Sequence, residues 1–399
     1  MQLNKAKMIV LAAAMSLTPG LLHAQFDFKV DGRDVQFHSF VQQGFAYSNQ
    51  NNFLTMNTSS GTFAMTDAGV NVSVPVTDHF RVGAQAYMRN IGQLGDYHVT
   101  LDWAYGDYKF KNWFGIRAGK VKTALGLLND VQDMEFLQTW AILPQSVYPL
   151  DLRSNTIAHT GADVYGTIGM RKAGSLSYTG YYGSRTNDRW GGFYYGPADN
   201  GDPVKSFSGR AGGADLRWNT PISGLMLGGS WADQTEDAVI NIKKYGNVVL
   251  NGTAQPQHLT SIYGDYARGR WHFTSEYRKN RDLFKEVIPA FHSTAYANLG
   301  DRGFFVTGAF RIAKFLEVGA YNSRYYVDKP GDLRPAASHI FDQTITARFD
   351  ITRWWSLKVE EHFMDGFGDT YSIHGFYLRD NKNLQPKTDM LVIRMAYTL

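Results

Sequence analysis

The sequence contains no cysteine, and its formal net charge at pH 7 is only +4 over 399 residues. Without cysteine the chain forms no disulfide bonds, and it must be stable by other means. A charge this small argues against a nucleic-acid partner, because binding to phosphates requires a concentrated basic surface. Beyond the first two dozen residues there is no run of about 18 apolar residues, which excludes a transmembrane helix there.

The first 24 residues have the features of a secretory signal peptide. Lys5 and Lys7 form a positive segment, residues 8–17 are an apolar stretch too short to span a membrane, and Ala24 suits signal-peptidase cleavage. An N-terminal membrane anchor is the alternative, but no stop-transfer pattern follows. Removal of the segment lowers the net charge from +4 to +2. We therefore expect an exported protein whose residues 25–399 form one domain.

The main structural signal is a period-two alternation of apolar and polar residues. In residues 391–399 every second side chain is apolar and large, whereas the intervening positions include the charged Arg394. Similar patterns occur at 80–89, 98–105, 162–171 and 355–363, and in 98–105 the side predicted to face lipid carries Leu101, Trp103 and Tyr105. Such alternation predicts strands whose two faces meet different environments. If the exported chain lies in a membrane, only a closed barrel can satisfy its backbone hydrogen bonds.

Aromatic residues mark the ends of many of these segments. They are Trp113, Phe114, Trp218, Trp231, Trp271, Trp354, Trp355 and Tyr397. Aromatic girdles at both ends of strands of about 10 residues are typical of outer-membrane β-barrels. An aromatic core of a soluble β-protein is the alternative, and the export signal disfavours it.

The lengths of the connections predict the topology. Short connections occur at 77–79, 111–112, 172–174, 220–224, 269–270, 313–314 and 352–353. Mostly longer connections lie near 48–62, 90–96, 120–158, 184–208, 233–258, 279–302, 323–338 and 365–388. Short periplasmic turns and long external loops are the convention of outer-membrane barrels. These seven turns and eight loops predict an all-β, transmembrane antiparallel β-barrel of about 16 strands, with both termini in the periplasm.

The longest break in the alternation runs from Lys120 to about His159, after the fifth predicted strand. The region resembles the porins of Gram-negative outer membranes, especially those grouped with the phosphate- and pyrophosphate-selective channels. The resemblance is carried by 114–120 (FGIRAGK), Lys122-Thr123, 125–127 (LGL), a following acidic stretch and Pro144-Gln145-Ser146. It implies that residues 120–158 fold back into the barrel and narrow the pore. The C-terminus departs from the family pattern, since such barrels usually end in Phe and this chain ends in Leu399.

If residues 120–158 fold inward, their acids would face basic residues of the barrel wall. The loop acids are Asp130, Asp133, Glu135 and Asp151, and the pore-lining basic candidates are Arg81, Arg89, Arg117, Lys120, Lys122 and Arg171. Opposed charges across a narrow opening orient polar solutes, and rings of charge set ion preference. The alternative is that these charges simply pair locally or remain solvated. A small excess of cations on the predicted inner face favours a weak anion preference.

The sequence thus predicts a porin through which small polar solutes or ions diffuse, embedded in outer-membrane lipid. The resemblance also implies a homotrimer. The alternative is a barrel plugged by residues 120–158 that acts as a surface binding or adhesion protein. We expect no enzyme, because His98, His272 and His362 lie in predicted strands without a serine nucleophile motif. We expect no cofactor or metal site either, since no histidine cluster has ligand spacing.

Overall fold

The computed structural model describes residues 26–30, 33–134, 137–199, 201–327, 331–368, 375–377 and 380–398. The segment predicted as a signal peptide, residues 1–24, lies outside the described residues, as does the candidate loop acid Glu135. Among the helices of the described part, none has the length and apolar character needed to cross a membrane.

The described residues form twenty strands, numbered in chain order. Their bounds are β1 (Phe26–Val30), β2 (Arg33–Ser48), β3 (Thr62–Pro75), β4 (Phe80–Ile91), β5 (Thr100–Lys111), β6 (Phe114–Lys122), β7 (Ala158–Gly169), β8 (Ser175–Arg185), β9 (Val204–Ser208), β10 (Arg210–Asn219), β11 (Leu225–Ile242), β12 (Val248–Arg268), β13 (Trp271–Arg281), β14 (Leu283–Ile288), β15 (Ser293–Asn298), β16 (Asp301–Ala313), β17 (Leu316–Val327), β18 (His339–Asp350), β19 (Trp355–Asp365) and β20 (Lys387–Thr398). Short α-helices lie at Arg153–Thr156 and Gly192–Asp199.

Sixteen of these strands form a closed antiparallel barrel. Neighbouring barrel strands pair along the chain, and β2 pairs with β20 to close the sheet. The remaining four strands are additions to this wall. The strand β1 pairs with β2. The strands β9 and β14 pair with the parts of β11 and β12 that adjoin the connection between those two strands, and β15 pairs with β14. The prediction of an all-β barrel with 16 antiparallel strands is confirmed.

The seven short connections predicted from the sequence join consecutive barrel strands. They lie together at one end of the barrel, here called the turn end, and the longer connections lie at the opposite loop end. The predicted loop at 233–258 is wrong, because β11 continues to Ile242 and β12 begins at Val248. These strands have 18 and 21 residues, about 60 Å or more of extended chain. Residues 233–237 of β11 read DQTED, which is polar on both faces, so the alternation that predicts a strand is lost there.

The outer face of the barrel is apolar, as the alternation predicts. In β20, Val392 and Arg394 are buried inside the barrel, whereas Met395 and Tyr397 are exposed on its outside. Exposed aromatic residues also occur at the turn end, for example Trp113 and Trp271. The outward-facing side chains are therefore apolar, as in a barrel surrounded by lipid, whereas the inward-facing side chains include both charged and apolar residues.

One strand exchanges its faces at a β-bulge. The register between β4 and β5 shifts between the pairs Gln85–Trp103 and Ala86–Leu101, so that Asp102 is the extra residue. Leu101 remains exposed on the outside, but Trp103 and Tyr105 line an internal cavity. The prediction that Trp103 and Tyr105 face lipid is wrong, because a one-residue insertion reverses every later position of the alternation.

Candidate pore constriction

The described residues of the connection between β6 and β7, 123–134 and 137–157, lie inside the barrel and are called the inner loop below. Within its described part, many side chains are almost completely buried, including Ile142, Val147 and Asp151. Its hydrogen bonds reach inward-facing residues of strands on several sides of the lumen. Three groups of these contacts, called anchors below, follow one another around the wall.

The first anchor joins the inner loop to β4 and β5. The guanidinium of Arg153 donates to both carboxylate oxygens of Asp102, each at 3.1 Å. Asp133 accepts from Gln85 Nε2 and from Lys122 Nζ, both at 2.6 Å. Burial would raise the pKa of the Asp133 carboxyl, but Lys122 and Arg153 outweigh this effect and hold that pKa below its ordinary value. Asp133 is therefore a charged acceptor that fixes the loop against the wall.

The second anchor joins the inner loop to β11 and β13. The Glu276 carboxylate accepts the backbone N–H of Leu127 at 3.2 Å and also the Tyr148 hydroxyl. The backbone N–H of Gly126 donates to Ser230 Oγ at 2.7 Å. Gly126 has φ +72°, and a Cβ at this position would lie 2.3 Å from a Glu276 oxygen. Glycine is therefore required both for the backbone turn and for the close approach of the loop to the wall.

The third anchor joins the inner loop to β19 and β20, on the part of the wall between the first two anchors. The Glu360 carboxylate accepts the backbone N–H groups of Ala141 and Ile142 at 2.7 and 3.1 Å. Lys358 Nζ donates to the carbonyl of Trp140, and Arg394 donates to that of Ala141, both at 2.8 Å. Wall charges thus satisfy backbone groups of an irregular segment that would otherwise be buried without partners.

Above the third anchor an apolar cluster fills one side of the lumen. Ala141 and Ile142 of the inner loop belong to it, together with residues of the wall and of the loop-end connections. The other buried members are Ala46, Phe53, Leu54, Met56, Met65, Ile91, Leu94, Tyr325, Val327, Ile340, Met364, Phe376, Met390 and Val392. A polar solute could not pass through this densely packed side of the barrel.

Two of the larger cavities border the inner loop, each against a different part of the wall, and the upper one also touches the apolar cluster at Tyr325 and Phe376. The lower cavity, of about 480 Å³, lies toward the turn end and is lined by charged residues including Arg117, Asp130 and Arg217. The upper cavity, of about 450 Å³, lies toward the loop end. A narrow space of about 30 Å³ lies within the inner loop, and Leu152 lines both this space and the upper cavity.

The structure places the basic candidates in different surroundings. Arg81 lies 3.1 Å from Asp107, and Arg117 lies 3.8 Å from the same carboxylate, with its guanidinium over the Tyr165 ring. Lys122 contacts Asp133, as described above. The guanidinium of Arg89, which is buried, donates to the Leu150 carbonyl of the inner loop at 2.5 Å.

Two basic candidates are placed differently: Lys120 lines a third cavity of about 360 Å³ beside Asp102 and Arg153, whereas Arg171 lies in a turn. Lys120 donates to the backbone carbonyl of Leu101, in a part of β5 that has no β6 partner. The predicted position of Arg171 on a strand is wrong, because this residue lies in the exposed turn between β7 and β8. Its φ of +54° belongs to a tight turn, which ends the strand two residues before the predicted alternation does.

The loop acids also differ in their roles. Asp130 lies 3.5 Å from Arg217 and faces the lower cavity. Asp151 is fully buried and accepts the Tyr377 hydroxyl at 2.8 Å. Burial raises the pKa of Asp151 to about 6, although the Tyr377 hydrogen bond and Arg89 act in the opposite direction. Asp151 is therefore an internal support of the loop and does not face either large cavity.

Arg153 was not among the residues singled out from the sequence, yet it forms the most extensively hydrogen-bonded ion pair of the inner loop. Its position among Asp130, Asp133 and Asp151 was the one available signal, because a single cation in an acidic segment needs a counter-charge. Across the described part of the chain, no group of three or more His, Asp or Glu residues is arranged to hold a metal ion.

A closed barrel of 16 strands with an inward loop after its fifth barrel strand is the porin fold. Similar solved structures include OmpF of Salmonella typhi in complex with daunomycin, with a TM-score of 0.58 and 11% identity, covering 94% of this chain and 100% of that one. The outer-membrane channel DcaP of Acinetobacter baumannii has a TM-score of 0.56 and 12% identity, covering 94% and 99%. The anion-selective porin from Comamonas acidovorans has a TM-score of 0.54 and 10% identity, covering 92% and 100%. No protein-family model and no curated protein matches the sequence.

Proposed function

We propose that the chain is an outer-membrane channel for the passive diffusion of small polar solutes, with the inner loop as its constriction. The observation that carries this proposal is the separation of two large cavities by a loop anchored to charged wall residues. A barrel with a polar interior is also the usual architecture of a water-filled outer-membrane channel. Two similar structures, an outer-membrane channel and an anion-selective porin, support the same function.

The size of the narrow space limits what such a channel can pass. A space of about 30 Å³ within the inner loop holds only a few water molecules. It is lined by Gly126, Tyr148, Leu152, Glu276 and Arg278, so both charged groups and an aromatic ring border this space. We expect a small conductance for the intact protein, and a larger one when the inner loop is shortened or detached.

The charges of the lower cavity favour at most a weak ion preference. Arg217 lies 2.8 Å from Asp215 and 3.5 Å from Asp130, and Arg117 lies near Asp107. Because each exposed guanidinium has a carboxylate beside it, the field at a distance is small. We propose a weak anion preference at most. A reversal potential measured across unequal KCl solutions tests it, and a clear cation preference would contradict it.

The proposal includes export to the outer membrane through a cleaved segment at 1–24, and assembly as a homotrimer. A trimer form is named for the similar OmpT of Vibrio cholerae, which has a TM-score of 0.57 and 12% identity. Mass determination of the detergent-solubilised protein tests the trimer, and N-terminal sequencing of the mature protein tests the cleavage. An enzymatic activity is not part of the proposal.

The test of the constriction is the single-channel conductance of purified protein in a planar bilayer. Deletion of residues 128–140 should enlarge the conductance, because it removes Asp130, Asp133 and the loop segment between two anchors. A matched control deletes residues 243–247 and joins β11 to β12 with a two-residue turn, far from the inner loop. If the 128–140 deletion conducts like the intact protein, the inner loop is not the constriction.

A plugged barrel that serves as a surface binding or adhesion protein is the second candidate. The packed apolar cluster that includes Ile142 and Phe376 favours it, because this cluster closes one side of the lumen. Complete electrical silence of the intact protein, combined with specific binding of a ligand or surface, would support this candidate. Discrete open steps whose size depends on salt would support the channel.

A further inference from the structure

The walls of the upper cavity are mostly apolar. Aromatic side chains from the Gly192–Asp199 helix, β9 and β14 line it, namely Phe193, Phe207 and Phe284. Ala238 and Ile240 of β11 add aliphatic surface. A volume of about 450 Å³ lies within the range of sites that enclose small organic molecules. The cavity therefore offers an apolar enclosure for a molecule of that size.

The polar part of the same cavity consists of oxygen atoms that have no partner. Gln257 Oε1, Asn280 Oδ1 and Asp282 Oδ1 are buried and accept no hydrogen bond within the described structure. These side chains are only 7–9% exposed, and all three line the upper cavity. Carbonyl and carboxylate oxygens are acceptors only. Buried acceptors without donors are unfavourable. A molecule bound beside these oxygens would therefore be favoured if it supplies N–H or O–H donors.

The charge of this polar part is negative. Glu236 is paired with Arg185 at 3.1 Å, and Asp301 lies 3.7 Å from Arg278. No ion pair to Asp282 occurs among the described residues. Burial, together with the charge of Glu236, raises the pKa of Asp282 to about 7, against the opposite effect of Arg185. A carboxylate in these surroundings would be stabilised in its charged form by a cation bound beside it.

We propose that the upper cavity is a binding site for an amphipathic organic cation, with an apolar body against the aromatic walls and a protonated amine on the Asp282 oxygens. A primary ammonium carries three N–H donors, which matches the three acceptor atoms of Gln257, Asn280 and Asp282. The site lies above the inner loop, so its occupation does not require that the solute pass the constriction. The inference therefore stands apart from the proposed conduction and is tested by equilibrium binding.

The probe is dansylcadaverine, which has a naphthalene body and a primary ammonium, and whose fluorescence rises in apolar surroundings. Dansylamide, which lacks the amine, is the neutral comparison. Both are titrated against the full-length protein in nanodiscs of zwitterionic lipid, with protein-free nanodiscs as blank. We expect the cation to bind at least tenfold more tightly than the neutral probe, about 1.4 kcal/mol in binding free energy.

The variant Asp282→Asn keeps the shape of the site and removes its unpaired charge. It should weaken dansylcadaverine binding about tenfold and leave dansylamide binding unchanged. Asp78→Asn, the same substitution in an exposed turn at the opposite end of the barrel, is the matched control and should change neither. Equal affinity of the two probes for the native protein, or full cation affinity in Asp282→Asn, would overturn the proposal.

The variant Ala238→Phe tests the location of the site. Ala238 is almost fully buried beside Phe207 and Phe284, and a phenyl group there would occupy part of the cavity. Binding of both probes should be lost, while the barrel remains folded by its gel mobility before and after heating. Undiminished binding of dansylcadaverine in Ala238→Phe would place the probe elsewhere and contradict the assignment, as would the absence of binding to the native protein at millimolar probe.

Discussion

The guanidinium of Arg153 meets the carboxylate of Asp102 through two hydrogen bonds of 3.1 Å, and both side chains are almost fully buried. Asp102 is the extra residue of the β-bulge in β5, so the bulge directs this carboxylate to the inner loop. Gln85 also donates to Asp102, at 3.0 Å. The β-bulge of the barrel wall and the inner loop are thus joined by this ion pair.

Replacement of Arg153 by Met should loosen this anchor. The substitution leaves the Asp102 carboxylate buried without its counter-charge, which typically costs about 3–5 kcal/mol. We expect a lower urea midpoint for unfolding in lipid vesicles and a larger single-channel conductance. The double variant Asp102→Asn/Arg153→Met removes both charges and should recover much of the stability. Equal stability of the single and double variants would show that the pair does not anchor the loop.

Two variants of Glu360 should separate the effect of its charge from the effect of its hydrogen bonds. Glu360→Ala removes the acceptor for two backbone N–H groups of Ala141 and Ile142, whereas Glu360→Gln retains one acceptor oxygen. We expect frequent current fluctuations in bilayer recordings of Glu360→Ala and an intermediate behaviour of Glu360→Gln. Glu361→Ala, the next residue along β19 but on its other face, is the control. Recordings of all three variants that match the native protein would argue against a role for Glu360.

The buried Asp151 predicts a pH dependence of stability. Its folded pKa of about 6 lies above the ordinary value of 3.8, so between these values the folded state binds more protons than the unfolded state. Its contribution to stability is therefore most favourable below pH 4 and declines as the pH rises through 6. Asp151→Asn, which stays neutral and can still accept from Tyr377, should be more stable than the native protein at pH 7.5, by on the order of 2–3 kcal/mol. The two proteins should be equally stable near pH 4, and a constant difference from pH 4 to 8 would contradict this assignment.

The absence of native cysteine makes the β-bulge directly testable. Single-cysteine variants at Trp103 and Tyr105 should react with a membrane-impermeant maleimide in lipid vesicles, because both positions line the lower cavity. Variants at Leu101 and Tyr108, which are exposed on the outside, should remain unlabelled. The opposite result, with Trp103→Cys protected and Leu101→Cys labelled, would mean that the alternation is not reversed at Asp102.

Much of the barrel was predictable because its signal is local. The alternation in β20 and the short turns each depend on residues that are neighbours in sequence, so the strand number and the turn positions follow from the sequence alone. The bulge at Asp102 has no such signal, since one extra residue in a strand resembles ordinary sequence variation. The bulge therefore places Trp103 and Tyr105 inside the barrel, on the face opposite to the one that the alternation predicts.

The path of the inner loop was less predictable, because its contacts are far apart in the chain. Glu360 and Ala141 are separated by 219 positions, and Glu276 and Leu127 by 149. Which wall carboxylate accepts which backbone N–H depends on how the closed barrel brings strands together. The sequence indicated that acids and bases would meet inside the barrel, but not that wall charges would also bind backbone groups of Leu127, Ala141 and Ile142.

The anchors on opposite walls also have a mechanical consequence. A hollow sheet closed only by strand pairing resists bending along its strands better than flattening across its diameter. Because the inner loop is tied to Asp102 of β5 on one side and to Glu276 of β13 almost directly across the barrel, it acts as a brace that keeps the cross-section round. A variant whose loop is released should therefore become wider for solutes and softer under lateral membrane pressure at the same time.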